Sequence, residues 1–285
     1  MRYESPTTAK AAVDLLSKEK GKAYVLAGGT DLLVRLRMDM IEPDLMVDIK
    51  NIPAMNDIKK TPNGGFKIGA AVSGAKLGAN KAISKAWPGV VEATNLIGSD
   101  QIQGRCTMVG NLCNASPAAD SVPAMIAAGA KANIVGKKRR TVPVEDIVTG
   151  PGKTALAKGE LIEAITLPKK APKSGDAYLR FIPRTEMDIA VVGAAVSLTL
   201  KKGVVEKARV ALGAVAATPL LVKEAADAII GTSLDDEALE ALGAACSAAC
   251  KPIDDKRGTV EYRVKVAGVL AQRAAKIAYE RAGGK

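Results

Sequence analysis

Apolar positions in this chain fall into short runs and amphipathic stretches, and the texture changes twice along its length. Ala11, Ala12, Val13, Leu15 and Leu16, behind Ser5, Thr7 and Thr8, have the spacing and capping residues of a helix over 6–18. The run 23–26 (AYVL) is a short strand. Residues 32–38 continue as a helix or irregular segment, and 45–49 (LMVDI), after Pro43, form a second buried strand. These elements make a small α/β unit over 1–55.

From residue 56 the pattern is more broken. Asn63-Gly64-Gly65 marks a turn, followed by strand at 66–68 and 70–72 and short helices at 75–80 and 85–97. Residues 97–120 show hardly any period. Asp120 and Ser121, with Pro123, read as the cap of a helix over 122–130. The runs 131–135 and 141–144 form a hairpin, and 161–167 is a strand closed by Pro168. Residues 168–175 (PKKAPKSG) have a linker's composition. Beyond them come strands at 176–181, 190–200 and 204–215 and helices at 221–230, 235–249 and 259–281. The expected class is α+β, with units at 1–55, 56–170 and 171–285, the last a three-stranded antiparallel sheet covered by helices.

Composition narrows the function. The chain has 285 residues, 48% hydrophobic and 25% charged, which suits a soluble globular protein with ample core. It has no apolar run of spanning length and no secretory h-region, so the expected location is cytoplasmic. It contains no histidine, which excludes histidine general bases and Ser-His-Asp triads. Cys106, Cys113, Cys246 and Cys250 form no C-x-x-C pair, so no metal site is expected. The net charge of +11 raises nucleic acid as a partner, but two phenylalanines and one tryptophan leave little to stack on bases. The basic run Lys137-Lys138-Arg139-Arg140 lies between two strand-like runs and reads as a hairpin turn.

Two glycine-rich stretches carry the candidate chemistry. In the first, Val25-Leu26-Ala27-Gly28-Gly29-Thr30-Asp31-Leu32, a strand ends in two glycines and leads to a helix-like run. The second, 97–120, includes Ile97-Gly98 and Thr107-Met108-Val109-Gly110-Asn111 and is dense in small, hydrogen-bonding residues. A long aperiodic stretch inside a domain is usually functional. Backbone N–H groups beside glycines bind a pyrophosphate without needing lysines, and Asp120 offers an acceptor for ribose or ring groups. Neither G-x-G-x-x-G nor G-x-x-x-x-G-K-[ST] is present. The residues point to a dinucleotide-like cofactor outside a Rossmann site.

The order and spacing of these pieces resemble the FAD-binding medium subunit of the molybdenum hydroxylases, the xanthine dehydrogenase and carbon monoxide dehydrogenase family. The resemblance rests on Ala27-Gly28-Gly29-Thr30-Asp31-Leu32, Ile97-Gly98 with Gln101-Ile102, Thr107 to Asn111, and Ala115 to Asp120 with Pro123. Leu161-Ile162, Arg180, Arg184 and Asp188-Ile189-Ala190 also fit. It implies a fold like vanillyl-alcohol oxidase and p-cresol methylhydroxylase, with two α/β subdomains holding FAD and a C-terminal domain. It also implies that Val25 to Leu32 and Thr107 to Asn111 embrace the pyrophosphate. Ile97, Gly98 and Ile162 would then lie near the cofactor, Asp120 close to it, and Arg180 where the family often has a lysine. Val109 replaces the first glycine of a usual Gly-Gly pair, and Ile189 replaces an aromatic that shields the flavin in some members.

The implied role is electron transfer, with no catalytic acid or base and no metal on this chain. Electrons would come from a small [2Fe–2S] subunit, fed by a large molybdopterin-binding subunit, and leave to NAD⁺ or a quinone. A dimer of heterotrimers is the implied assembly. The alternatives are a stand-alone FAD-dependent reductase of the same fold and a basic nucleic-acid-binding protein.

Overall fold

The computed structural model describes residues 1–284. The chain begins β1 (Arg2–Glu4), α1 (Ala9–Lys18), β2 (Ala23–Leu26), α2 (Leu32–Arg37) and β3 (Leu45–Asp48). The strands form a parallel sheet in the order β1-β3-β2. All four residues of β3 are buried, as its central place requires, which is why LMVD reads as one apolar run. Helix α1 starts at Thr8, whose hydroxyl accepts from Ala11 N, and buries Ala12, Val13 and Leu16. Strand β1 was not expected, because three residues are too few to show a period.

The next stretch supplies β4 (Ile58–Lys60), β5 (Phe66–Gly69), α3 (Gly74–Gly78), α4 (Lys81–Ala86), α5 (Pro88–Asn95), α6 (Asp100–Gln103), α7 (Met108–Cys113) and α8 (Ser121–Ala127). It continues through β6 (Lys131–Val135), β7 (Arg139–Pro143), β8 (Val148–Gly150), β9 (Lys153–Thr154) and β10 (Leu161–Leu167). An antiparallel sheet in the order β4-β5-β10-β6-β7 is built on central β10, and β8 and β9 form a separate small hairpin.

Three details depart from the expectations. Ala70 N still donates to Glu163 O of β10 at 3.0 Å, but residues 71–72 leave the sheet, with Ala71 N bonded to Met55 O at 2.8 Å and Val72 N to Gly69 O at 3.1 Å. The expected helix at 85–97 is split at Trp87, because Pro88 cannot continue a helix but suits the first turn of α5. The stretch 97–120 contains two short helices, α6 and α7, rather than a plain loop.

The remaining elements are β11 (Ser174–Phe181), β12 (Val192–Lys201), β13 (Val204–Gly213), β14 (Leu220–Leu221), α9 (Lys223–Ile229), α10 (Asp236–Ala249) and α11 (Val260–Arg281). The antiparallel sheet is ordered β11-β12-β13-β14, so a two-residue fourth strand extends the expected three. Helix α11 lies against β11 and β12 and buries Ala267, Ala271, Ala274, Ala275 and Ala278 completely. These small residues let the helix sit close to the sheet, and a Cβ at Gly175 would overlap Ala278 O. The abundance of alanine in a core poor in aromatics has its reason in this close approach.

Candidate cofactor site

The turn after β2 meets the segment before α7. A Cβ added to Gly28 would overlap the Arg105 carbonyl oxygen and lie 3.0 Å from Cys106 Cα, so the two backbones touch where a side chain would stand. Gly29 has φ +80°, and its Cβ would come within 2.9 Å of Leu33 Cδ1. The turn thus requires glycine twice, for two reasons. The segment before α7 is also tied to the start of α3, by the bond from Gly74 N to Cys106 O at 2.8 Å.

Between these segments lies a cavity of about 430 Å³, within the size range of small-molecule sites. Along one wall, the backbone N–H groups of Gly28, Gly29, Thr30, Asp31 and Leu32 donate to no acceptor among the described residues. On the other wall, Thr107 caps α7 by accepting from Gly110 N at 2.9 Å, while the N–H group of Val109 has no acceptor among the described residues. Free donors in the first turn of a helix favour an anion. Asn111 is already engaged: its Oδ1 accepts from Ser121 N at 3.1 Å and Ser121 Oγ at 2.7 Å, holding α7 to α8.

Most of the residues singled out from sequence converge here. Val25, Ala27, Gly28, Gly29, Thr30, Asp31, Leu32, Ile97, Thr107, Val109, Gly110, Asn111 and Ile162 line the cavity. Leu26 and Met108 belong to the same segments but are buried. Gly98 lies outside the lining, with φ +64° and its carbonyl accepting from Met187 N at 3.3 Å. The structure also brings in Tyr24, Arg35, Cys106, Cys113, Asn114, Thr154, Leu156 and Glu160, none of which carried a site expectation. Cys106 lies just before α7 and Cys113 ends it, and Tyr24 is in the strand that leads to the first glycine turn. Thr154, Leu156 and Glu160 arrive through the small hairpin and the entry to β10, and nothing local in sequence marks them.

The charges on this wall are few. Surrounding protein pushes the Asp31 carboxyl up, and Arg35 opposes the shift. Glu160 is held below the ordinary range by its hydrogen bonds from Arg140, at 2.9 and 2.7 Å. Burial pushes the Cys106 thiol up to about 11 and Cys113 up to about 12, which keeps both protonated and poorly nucleophilic.

Asp120 and Arg180 sit apart from this lining. Asp120 does not cap α8; its Oδ2 accepts from Arg180 Nη1 at 3.0 Å and its Oδ1 from the Tyr178 hydroxyl at 3.1 Å. Arg180 also donates to Leu96 O at 2.7 Å, next to the cavity residue Ile97. Burial pushes the Asp120 carboxyl up to about 6, against the pull of Arg180. Burial also drives the Tyr178 hydroxyl well above its ordinary range, so it is protonated and donates. This cluster joins α8 to β11.

A family model for the FAD binding domain in molybdopterin dehydrogenase matches residues 1–170. The chain belongs to that family. A second model, for the CO dehydrogenase flavoprotein C-terminal domain, matches residues 177–278. The carbon monoxide dehydrogenase medium chain of Afipia carboxidovorans is 34% identical over 281 residues, covering 98% of this chain and 97% of the relative. The xanthine dehydrogenase FAD-binding subunit of Escherichia coli O157:H7 is 29% identical over 286 residues, covering 99% and 97%. Among solved structures, a chain of reconstituted CO dehydrogenase from Oligotropha carboxidovorans superposes with a TM-score of 0.94 at 33% identity, covering 99% of this chain and 98% of that one. The α+β fold is therefore that of the medium chains, and the chain is an FAD-binding subunit of a molybdenum-hydroxylase-type oxidoreductase with large and small partner subunits.

The site suits this cofactor. The glycines let the two segments close against each other, and six N–H groups without an acceptor among the described residues come from two walls. The lining also offers apolar Val25, Ile97, Leu156 and Ile162 for ring systems. A diphosphate needs donors, and planar rings need apolar walls.

Proposed function

We propose that the chain holds FAD between its two glycine segments and serves as the electron-transfer subunit of its complex, linking a [2Fe–2S] subunit to an external acceptor such as NAD⁺ or a quinone. The observation that carries this reading is the contact of Gly28 with the Arg105–Cys106 backbone, which makes one cradle from two segments about eighty residues apart. Gly28 to Leu32 and the first turn of α7 hold the pyrophosphate. Ile97 and Ile162 pack against the ring systems. Asp120 acts through Arg180, which fixes the carbonyl of Leu96 and so the position of Ile97.

FAD supplies the acceptance and release of electrons when bound; the residues of this chain bind it, orient it and shield it from water. In this reading the substrate chemistry belongs to a partner subunit, and no side chain of this chain is assigned the role of a catalytic acid or base. The working assembly in this reading is a cytoplasmic dimer of heterotrimers.

The test is to co-express the chain with its large and small subunits and assay flavin released by acid. The expected result is about one FAD for each copy of this chain, with the flavin bleached when substrate is added to the complex without acceptor. Protein free of flavin that binds DNA with a steep salt dependence would support the basic-protein alternative instead.

A further inference from the structure

Helix α2, immediately after the glycine cradle, buries none of its six residues. The segment from Leu33 to Met40 exposes four large apolar side chains: Leu33 at 43%, Val34 at 52%, Met38 at 65% and Met40 at 64%. Short helices gain most of their stability from packing an apolar face, and the chain's own residues cover Leu32 and Leu36 only in part and leave Leu33 and Val34 exposed. Arg35 and Arg37 on the helix, and Arg105 beside the Gly28 turn, form no salt bridge among the described residues. The backbone of Arg105 abuts Gly28, which puts that arginine at the same rim of the cavity.

We propose that α2 and residues 38–40 are a docking surface for a partner subunit of the complex, one that presents an apolar centre with an acidic rim. The proposal rests on the reading of the chain as one subunit of an assembly. Composition favours a protein partner: the segment LLVRLRMDM holds three leucines, a valine, two methionines and two arginines against a single aspartate, with no lysine or glutamate, close to the residue bias of interface centres. Methionine adapts its shape to what covers it. Charge favours a different chain over a second copy, since a second copy brings the same three arginines and the same net +11. Six helical residues are also short for a helix lying in a membrane surface.

The experiment places one reporter thiol, Met40→Cys, in the full chain and follows its reaction with a maleimide. The native thiols react slowly, because burial pushes all four up to about 11 or 12. In the complex with its large and small subunits, labelling is expected to be about tenfold slower than in the isolated chain. In a parallel arm, Val34→Glu with Met38→Glu should cut the partner subunits that co-purify several-fold at unchanged circular dichroism. Val204→Glu with Ile230→Glu, at exposed positions of the C-terminal region, should not. Equal labelling in complex and isolated chain overturns the proposal. So does protection that already appears in the isolated chain at high concentration, or only on anionic vesicles. FAD content on the same samples separates the two readings, because loss of flavin in an intact complex strikes the cradle and leaves the docking surface standing.

Discussion

The cofactor cavity and the seam between β11 and the preceding helices solve opposite problems with opposite materials. The cavity wall is mostly backbone: free N–H groups, two glycines that no other residue can replace without moving a neighbour, and apolar side chains. The seam is made of charged side chains out of water. Asp120 meets Arg180 and Tyr178 there, and Asp176 accepts from Gly89 N at 2.8 Å and Lys170 Nζ at 2.6 Å. Lys170 in turn lies over the Trp87 ring at 3.9 Å, and at the partly exposed edge of the seam Arg281 pairs with Glu92. A backbone site fails when something is added, and a charged seam fails when something is removed.

The seam gives the largest expected effect on stability. The Arg180 side chain is 3% exposed, so Arg180→Met leaves Asp120 and the Leu96 carbonyl without their donor. Removing one partner of a buried pair costs about 3–5 kcal/mol, read as a lower urea midpoint with FAD absent. A cost below about 1 kcal/mol would mean the seam is wet and the contrast with the cavity false.

The pH dependence of Asp120 sharpens the same point. Its carboxyl is raised from 3.8 to about 6 by burial, so the folded state holds the proton more tightly than the unfolded chain. That contribution is fully present below about 4 and is lost as pH rises through about 6. Asp120→Asn carries no such titration. The stability of the native chain, measured against this variant by urea unfolding at each pH, should therefore fall between about pH 4 and 6. A flat difference would place the Asp120 carboxylate in solvent.

On the cavity side, removal should matter less. Thr107→Ala deletes the cap that Gly110 N uses, which costs about 1 kcal/mol and loosens one wall of the cradle. Weaker FAD retention with only a small shift in Tm is the expected pattern. The smallest effect should come from Arg139→Gln on exposed β7, where the salt bridge to Glu163 at 2.6 Å is worth about 0–1 kcal/mol. The basic run was expected to be the hairpin turn, but Arg139 and Arg140 already belong to strand β7, paired with β6 and tied to Glu163 and Glu160.

How legible the molecule was depended on the range of the interactions. Strand β10 and helices α10 and α11 carry enough residues for their apolar period to show, and their ends were read within a residue of the observed ones. Strands β1, β4 and β14 have two or three residues and are held by pairing with distant strands, so no local pattern marks them. Helix α7 was missed because six residues with a glycine inside, MVGNLC, show no stripe, although Thr107 three places before Gly110 is a cap signal. The glycine segments were visible as turns. Their contact was not, because it depends on Gly28 meeting a backbone that lies far along the chain. Glu160 and Thr154 were hidden for the same reason, and Arg180 was reached only through the family resemblance.

The central claim is that two glycine segments form one cradle for FAD, and Gly28→Val tests it most directly. The variant and a control, Gly104→Ala, should be purified in the full complex and assayed for acid-released flavin. An added Cβ at Gly104 meets only Gln101 O at 3.4 Å, so the control should keep its FAD. The valine at position 28 must push apart the turn and the Arg105–Cys106 backbone, and the complex should retain its subunits with little or no FAD. Full FAD content in the Gly28→Val complex would contradict the account.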